Sequence, residues 1–79
     1  MISPAQCRAA RALLNWTREQ LAEKSRVSKM TLADFETAKR KPYDRTLADI
    51  CRTFEEAGLE FIPENGGGAG IRFRERKPS

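Results

Sequence analysis

The sequence predicts a mainly α-helical domain in which four helices are followed by a C-terminal β-hairpin, and three observations carry that prediction. Capping side chains stand ahead of apolar residues at helical spacing, at Ser3, Thr17, Ser28 and Asp44. Gly58 follows the last such run, where a left-handed residue ends a helix. Beyond it the period changes, and Leu59-Glu60-Phe61-Ile62 and Ile71-Arg72-Phe73-Arg74 alternate around a turn-forming stretch from Pro63 to Gly70.

Taken in order, Ser3 as N-cap and Pro4 at the first helical position open a helix that runs to about Asn15. Cys7, Ala10 and Leu14 form one apolar stripe on it; Ile2, Ala5, Ala9, Leu13 and Trp16 form a second, more than one small core requires. Thr17-Arg18-Glu19-Gln20 has the capping-box form, in which the Thr17 hydroxyl and the Gln20 side chain satisfy each other's backbone donors. The helix it opens at Arg18 ends near Ser25. Ser28 caps a third helix with Leu32, Phe35 and either Met30 or Thr31 inward, and Lys29, Ala33 and Asp34 outward. Residues 37–42 break the period as a basic loop. Asp44 is the expected N-cap of a fourth helix with Leu47, Ile50, Cys51 and Phe54 at core spacing. These elements divide the chain into a domain over 1–58, a hairpin extension over 59–75 that packs on the domain or on a partner copy, and a mobile tail over 76–79.

Composition narrows the function. The chain has 79 residues, 15 Lys and Arg against 11 Asp and Glu, and no histidine, which suits one small basic domain. Such a domain buries a modest share of its surface, so a second copy is an expected source of stability. Cys7 and Cys51 lie inside helical patterns and read as small buried hydrophobes; without histidine they complete no zinc set. No cofactor, metal or enzyme activity is expected. No apolar run approaches the ~20 residues of a membrane span, and no signal-peptide pattern opens the chain, so a cytoplasmic protein is expected.

The stretch Glu19 to Glu36, "EQLAEKSRVSKMTLADFE", places two short helices on either side of Ser25-Arg26-Val27. A steep helix crossing needs small or apolar contact residues, supplied by Ala22 and by Leu21, Val27, Leu32 and Phe35. Together with Thr17-Arg18-Glu19-Gln20-Leu21-Ala22, Val27-Ser28, Leu32-Ala33-Asp34-Phe35-Glu36, Pro42 and Thr46-Leu47, the chain from about Pro4 to Gly58 resembles the lambda-repressor-like, Xre/Cro-type helix-turn-helix family. Two positions depart from the family pattern, each replacing glycine: Arg26 in the turn and Ala38 after the third helix. A non-glycine residue at positive φ costs about 1–2 kcal/mol, which a good core offsets, so Arg26 is expected at positive φ or in a slightly looser turn.

The resemblance implies that the third helix enters the major groove of double-stranded DNA, with Ser28, Lys29, Met30, Thr31 and Asp34 as base-reading residues. Lys29 is suited to guanine O6 or N7, Met30 to a thymine methyl and Asp34 to cytosine N4. Thr17, Arg18, Lys39, Arg40 and Lys41 are the candidate phosphate contacts. The family also implies a structural ion pair between Arg11 and Glu36. The expected function is a sequence-specific transcriptional regulator, acting as a homodimer on an inverted repeat, with the second helix 1 stripe or the hairpin edge joining the copies. Its rivals are an antitoxin or antiactivator that holds a protein partner on its Phe61/Phe73 face, and a nucleic-acid binder without sequence preference.

Overall fold

The computed structural model describes residues 2–63 and 67–74. Four helices, α1 (Pro4–Leu14), α2 (Arg18–Ser25), α3 (Lys29–Glu36) and α4 (Asp44–Glu56), precede an antiparallel pair, β1 (Leu59–Ile62) and β2 (Gly70–Phe73). Residues 76–79, expected as a tail, lie outside the described residues.

Side-chain caps open α1, α2 and α3. Ser3 and Gln6 form a full capping box on α1, beyond the N-cap and proline expected there, and Thr17 and Gln20 form the predicted one on α2. Ser28 Oγ accepts the N–H of Thr31 to cap α3. α1 ends on Asn15 in the left-handed region (φ 57), with Trp16 N–H bonded to Arg11 O and Asn15 N–H to Ala12 O. Those two bonds form the Schellman arrangement, and asparagine tolerates it better than most non-glycine residues. Arg26 ends α2 at φ 62 and Ala38 follows α3 at φ 59, so both glycine replacements adopt the glycine-like backbone. Gly58 takes φ 97 between α4 and β1; a Cβ there would meet nothing within 4 Å, so backbone conformation rather than space selects glycine.

Two boundaries differ from expectation. The N-cap of α4 is Tyr43, not Asp44: its carbonyl accepts Leu47 N–H, and it contributes no side-chain bond. The phase set by Leu47, Ile50 and Phe54 entering the core starts the helix one residue early, leaving Asp44 in the first turn, where a carboxylate favours the helix dipole. β2 runs from Gly70 to Phe73 rather than from Ile71 to Arg74, because Ile62 pairs with Gly70; Arg74 N–H still reaches Gly58 O at 2.8 Å.

The core joins Cys7 and Ala10 of α1, Leu21 of α2, Val27, Leu32 and Phe35, the three α4 residues just named, and Leu59 of β1. The second α1 stripe divides. Ile2 is buried, and Trp16 stacks on Phe54 at 5.8 Å between ring centres with Lys24 Nζ 5.1 Å from the indole, while Ala5, Ala9 and Leu13 stay exposed. Phe61 meets Phe54 edge-on at 6.0 Å, so of the Phe61/Phe73 face only Phe73 remains well exposed. Cys51 is half-buried rather than a core member. Gln6 ties the hairpin to α1: its Oε1 accepts Ser3 N–H at 2.9 Å, and its Nε2 donates to Gly70 O at 2.8 Å and more weakly to Ile62 O at 3.4 Å.

The carboxylate of Glu36, the last residue of α3, is fully buried and joins three helices. Arg11 donates to it twice at 2.7 Å, Arg18 Nε once at 3.1 Å and the Cys7 thiol once at 3.1 Å. Arg8 donates to the Glu36 backbone carbonyl, one of those left free at a helix C-terminus. Burial pushes the Glu36 carboxyl up, but hydrogen bonds from Arg11 and Cys7 and the nearby guanidinium charges outweigh it and hold it below its ordinary 4.5. Burial, reinforced by Glu36, pushes the Cys7 thiol well up and keeps it a protonated donor.

Arg26→Gly is expected to raise stability by about 1 kcal/mol in urea or thermal melts, since it relieves left-handed strain while adding freedom to the unfolded chain. Arg11→Ala is expected to cost on the order of 3 kcal/mol, as for one partner of a buried pair, against under about 1 kcal/mol for Arg18→Ala, whose side chain is 38% exposed. Equal losses would show that Arg11 does not hold α3. Because the folded carboxyl of Glu36 lies below 4.5, its stabilisation is present above that pH and is lost as pH falls through the folded value. Glu36→Gln is therefore expected to give a less stable protein whose acid limb below pH about 4.5 is shallower than the wild type's in pH-dependent urea melts.

Candidate nucleic-acid interface

The helix-turn-helix crossing determines which α3 side chains face outward. Ser25 Oγ donates to Leu21 O at 2.7 Å and accepts Val27 N–H at 3.3 Å, and Arg26 N–H bonds Ala22 O at 2.9 Å, so the bend is closed by its own polar groups. Val27, Leu32 and Phe35 then enter the core. The opposite face of α3 presents Met30, 76% exposed, beside exposed Ser28 and Lys29 and half-buried Thr31 and Asp34. Of the two residues left open as the inward one, neither joins the core: Met30 is exposed, and Thr31 is half-buried with its hydroxyl accepting from Ser28 Oγ at 2.8 Å.

Two shallow concavities flank Met30. On one side Thr17, Arg18 and Glu19 at the start of α2 face Lys29, Met30 and Ala33. On the other Ser28, Met30, Thr31 and Asp34 face Arg40 and Pro42. Arg40 reaches that position because the loop folds back on α3: the Asp34 carbonyl accepts Lys39 N–H at 2.8 Å and Arg40 N–H at 3.2 Å, and Phe35 O accepts Ala38 N–H at 3.0 Å. This arrangement brings together all five residues expected to read bases, with Thr17, Arg18 and Arg40 beside them. Lys39 and Lys41 are exposed on the same loop, and among the described residues neither they nor Arg40 is in an ion pair.

Two features escaped the sequence reading. Glu19 Oε1 lies 3.9 Å from Lys29 Nζ with both side chains largely exposed, so an acid stands within reach of a cation expected to read bases. Arg18, expected on phosphate, turns its Nε inward to Glu36. The Glu19 pair arises from the crossing of α2 and α3, and Arg18's bond from the depth at which α3 ends; neither leaves a local pattern in the chain.

Among the described residues no group of three His, Cys, Asp or Glu side chains could hold a metal ion, and no helix is long and apolar enough to cross a membrane. The surface instead offers cations and hydroxyls around a protruding apolar and polar helix face. Phosphates and base edges are the groups that such a surface recognises.

No curated protein matches the chain. The helix-turn-helix family matches residues 8–61, from within α1 through all of the remaining helices into β1 and over more than half of the chain. The chain therefore belongs to the lambda-repressor-like, Xre-type helix-turn-helix family of DNA-binding transcriptional regulators.

Proposed function

We propose that the protein is a sequence-specific regulator that acts in the cytoplasm as a homodimer, reading an inverted repeat in double-stranded DNA. The observation that carries this reading is the exposed start of α3, with Met30 standing out between two concavities whose polar linings combine hydroxyls and cations with one carboxylate each, Asp34 and Glu19. Ser28, Lys29, Met30, Thr31 and Asp34 read base edges; Thr17, Arg18, Lys39, Arg40 and Lys41 contact phosphates. Arg18 does so with the part of its guanidinium that Glu36 leaves free. Arg11 and Glu36 anchor α3 and make no DNA contact.

Dimerisation follows from the size of the reading surface. α3 has eight residues, and one such helix reads few base pairs, whereas two related by a two-fold axis read half-sites about 10–10.5 bp apart or a multiple of that. Exposed Leu13 and Phe73 are apolar surface available to join the copies. Asp34 and Glu19 weigh against binding driven by net charge alone, because carboxylates beside a phosphate backbone repel it unless they discriminate or orient.

Selection from random duplexes at moderate salt is expected to return a palindromic consensus, and the absence of any consensus would sink the reading. On the selected site, Met30→Ala and Lys29→Ala are each expected to lose about 1–3 kcal/mol of discrimination. Lys39→Ala is expected to weaken consensus and random duplex alike and to lower the salt slope by about 1.

A further inference from the structure

A third concavity lies where the start of α1, the end of α3 and the start of α4 meet. Its volume is about 280 Å³, and the buried side chains of Ile2, Phe35 and Leu47 form its floor, with Pro4 and Ala38 also lining it. Arg40 and Lys41 line it too; both are exposed, and neither is in an ion pair among the described residues. Arg40 also lines the concavity beside Met30, so one guanidinium borders both the reading face and this apolar recess.

We propose that this recess docks an acidic protein segment carrying one large apolar anchor, and that docking withdraws Arg40 and Lys41 from DNA. Charge complementarity selects the occupant. The charged groups of the rim are both cations, Arg40 and Lys41, so a carboxylate-rich segment is the occupant it attracts. Size selects the anchor: the recess falls just short of the roughly 300–1,000 Å³ of pockets that enclose a small ligand, but takes a buried side chain of the kind that anchors protein interfaces. The backbone bonds that hold the loop to Asp34 and Phe35 keep the rim in place before any partner arrives, which limits the ordering cost of binding. Docking and DNA binding then compete for the same two cations. The competition rests on the DNA-binding reading above; the docking does not.

The test uses acetylated heptapeptides of sequence Asp-Glu-Asp-X-Glu-Asp-Glu with X as Phe, Leu or Gly, titrated into the full chain and followed by amide chemical shifts. The Phe and Leu peptides are expected to bind with Kd on the order of 100 µM, at least tenfold tighter than the Gly peptide, with the largest shifts at Ala38, Lys41 and Leu47. Ala38→Leu fills the recess without changing charge and is expected to weaken the Phe peptide at least tenfold while leaving duplex binding within about twofold. Arg40→Gln with Lys41→Gln is expected to weaken peptide and duplex together, and supplies the test if Ala38→Leu does not fold. Phe peptide is expected to displace labelled duplex from the wild type and not from Ala38→Leu. Equal binding of Phe and Gly peptides, indifference to the substitutions, or binding of decanoate with no peptide binding would overturn the docking. Docking without displacement would overturn the competition. Peptide docking in a protein that binds no duplex at all would sink the DNA reading and leave the recess assignment standing.

Discussion

The arrangement of the whole domain depends on a single buried carboxylate. Glu36 sits at the C-terminus of α3, where the helix dipole disfavours an anion, and it is removed from water, which disfavours the charge further. Neither cost would be tolerated without the donors converging on it: Arg11 twice, Arg18, and the Cys7 thiol, with Arg8 on the backbone carbonyl. The donors come from α1 and α2, so satisfying the carboxylate fixes the end of α3 relative to both. Arg11 also reaches Trp16 O at 3.2 Å and so holds the α1–α2 corner to the same centre. Apolar contacts alone would permit α3 to slide or roll by a fraction of a turn, whereas a bidentate guanidinium admits one geometry. That geometry sets how far the start of α3 projects, which is the property a groove-reading helix needs.

Strain is spread along the chain in a way that complements this centre. Asn15, Arg26 and Ala38 adopt positive φ, each just past the end of a helix, and each position reverses the chain so that the next element can pack. Glycine would relieve the strain at all three. At Arg26 the side chain is exposed and the backbone N–H is satisfied by Ala22. At Ala38 the reversal lets the Asp34 carbonyl accept two loop N–H groups, and this places Arg40 between the two concavities. The loop's cations are thus positioned by backbone hydrogen bonds rather than by ion pairs, which leaves their charge free for an anionic partner.

What could be read from the chain was what depends on near neighbours. Thr17 with Gln20, Ser28, Gly58 and the alternation around Phe61 and Phe73 each act within a few residues, and each was legible. The Arg11–Glu36 contact came from family resemblance, since nothing local links residues 25 apart. Tyr43 as N-cap was hidden because the phase of α4 is decided by Leu47, Ile50 and Phe54 in the core, not by which nearby side chain caps best. The same reason hid the split of the second α1 stripe: Ile2 and Trp16 lie beyond the ends of the helix, where helical phase no longer governs, and the chain turns both inward. Glu19 beside Lys29 and Arg18 beneath Glu36 required the interhelical crossing itself.

The hairpin shows how a domain this small gains stability from its own chain. Two short strands are marginal alone, but here Leu59 enters the core, Phe61 packs against Phe54, and Arg74 bonds Gly58 O and Glu55 O. Gln6 completes the attachment with one amide, its oxygen capping α1 and its nitrogen holding carbonyls on both strands. On the solvent side Arg72 and Glu60 pair across the strands at 2.8 Å. These groups are therefore committed within the chain, and a partner at the hairpin would have Phe73 and the outer strand edges to work with. A dimer formed there would have to rely on edge-to-edge backbone pairing, for which Phe73 supplies the apolar contact. One formed along α1 would rest on Ala5, Ala9 and Leu13, a narrow stripe that supports close helix approach but buries little area. The two routes thus differ in the force that would join the copies: backbone hydrogen bonds at the hairpin, close contact of small side chains along α1.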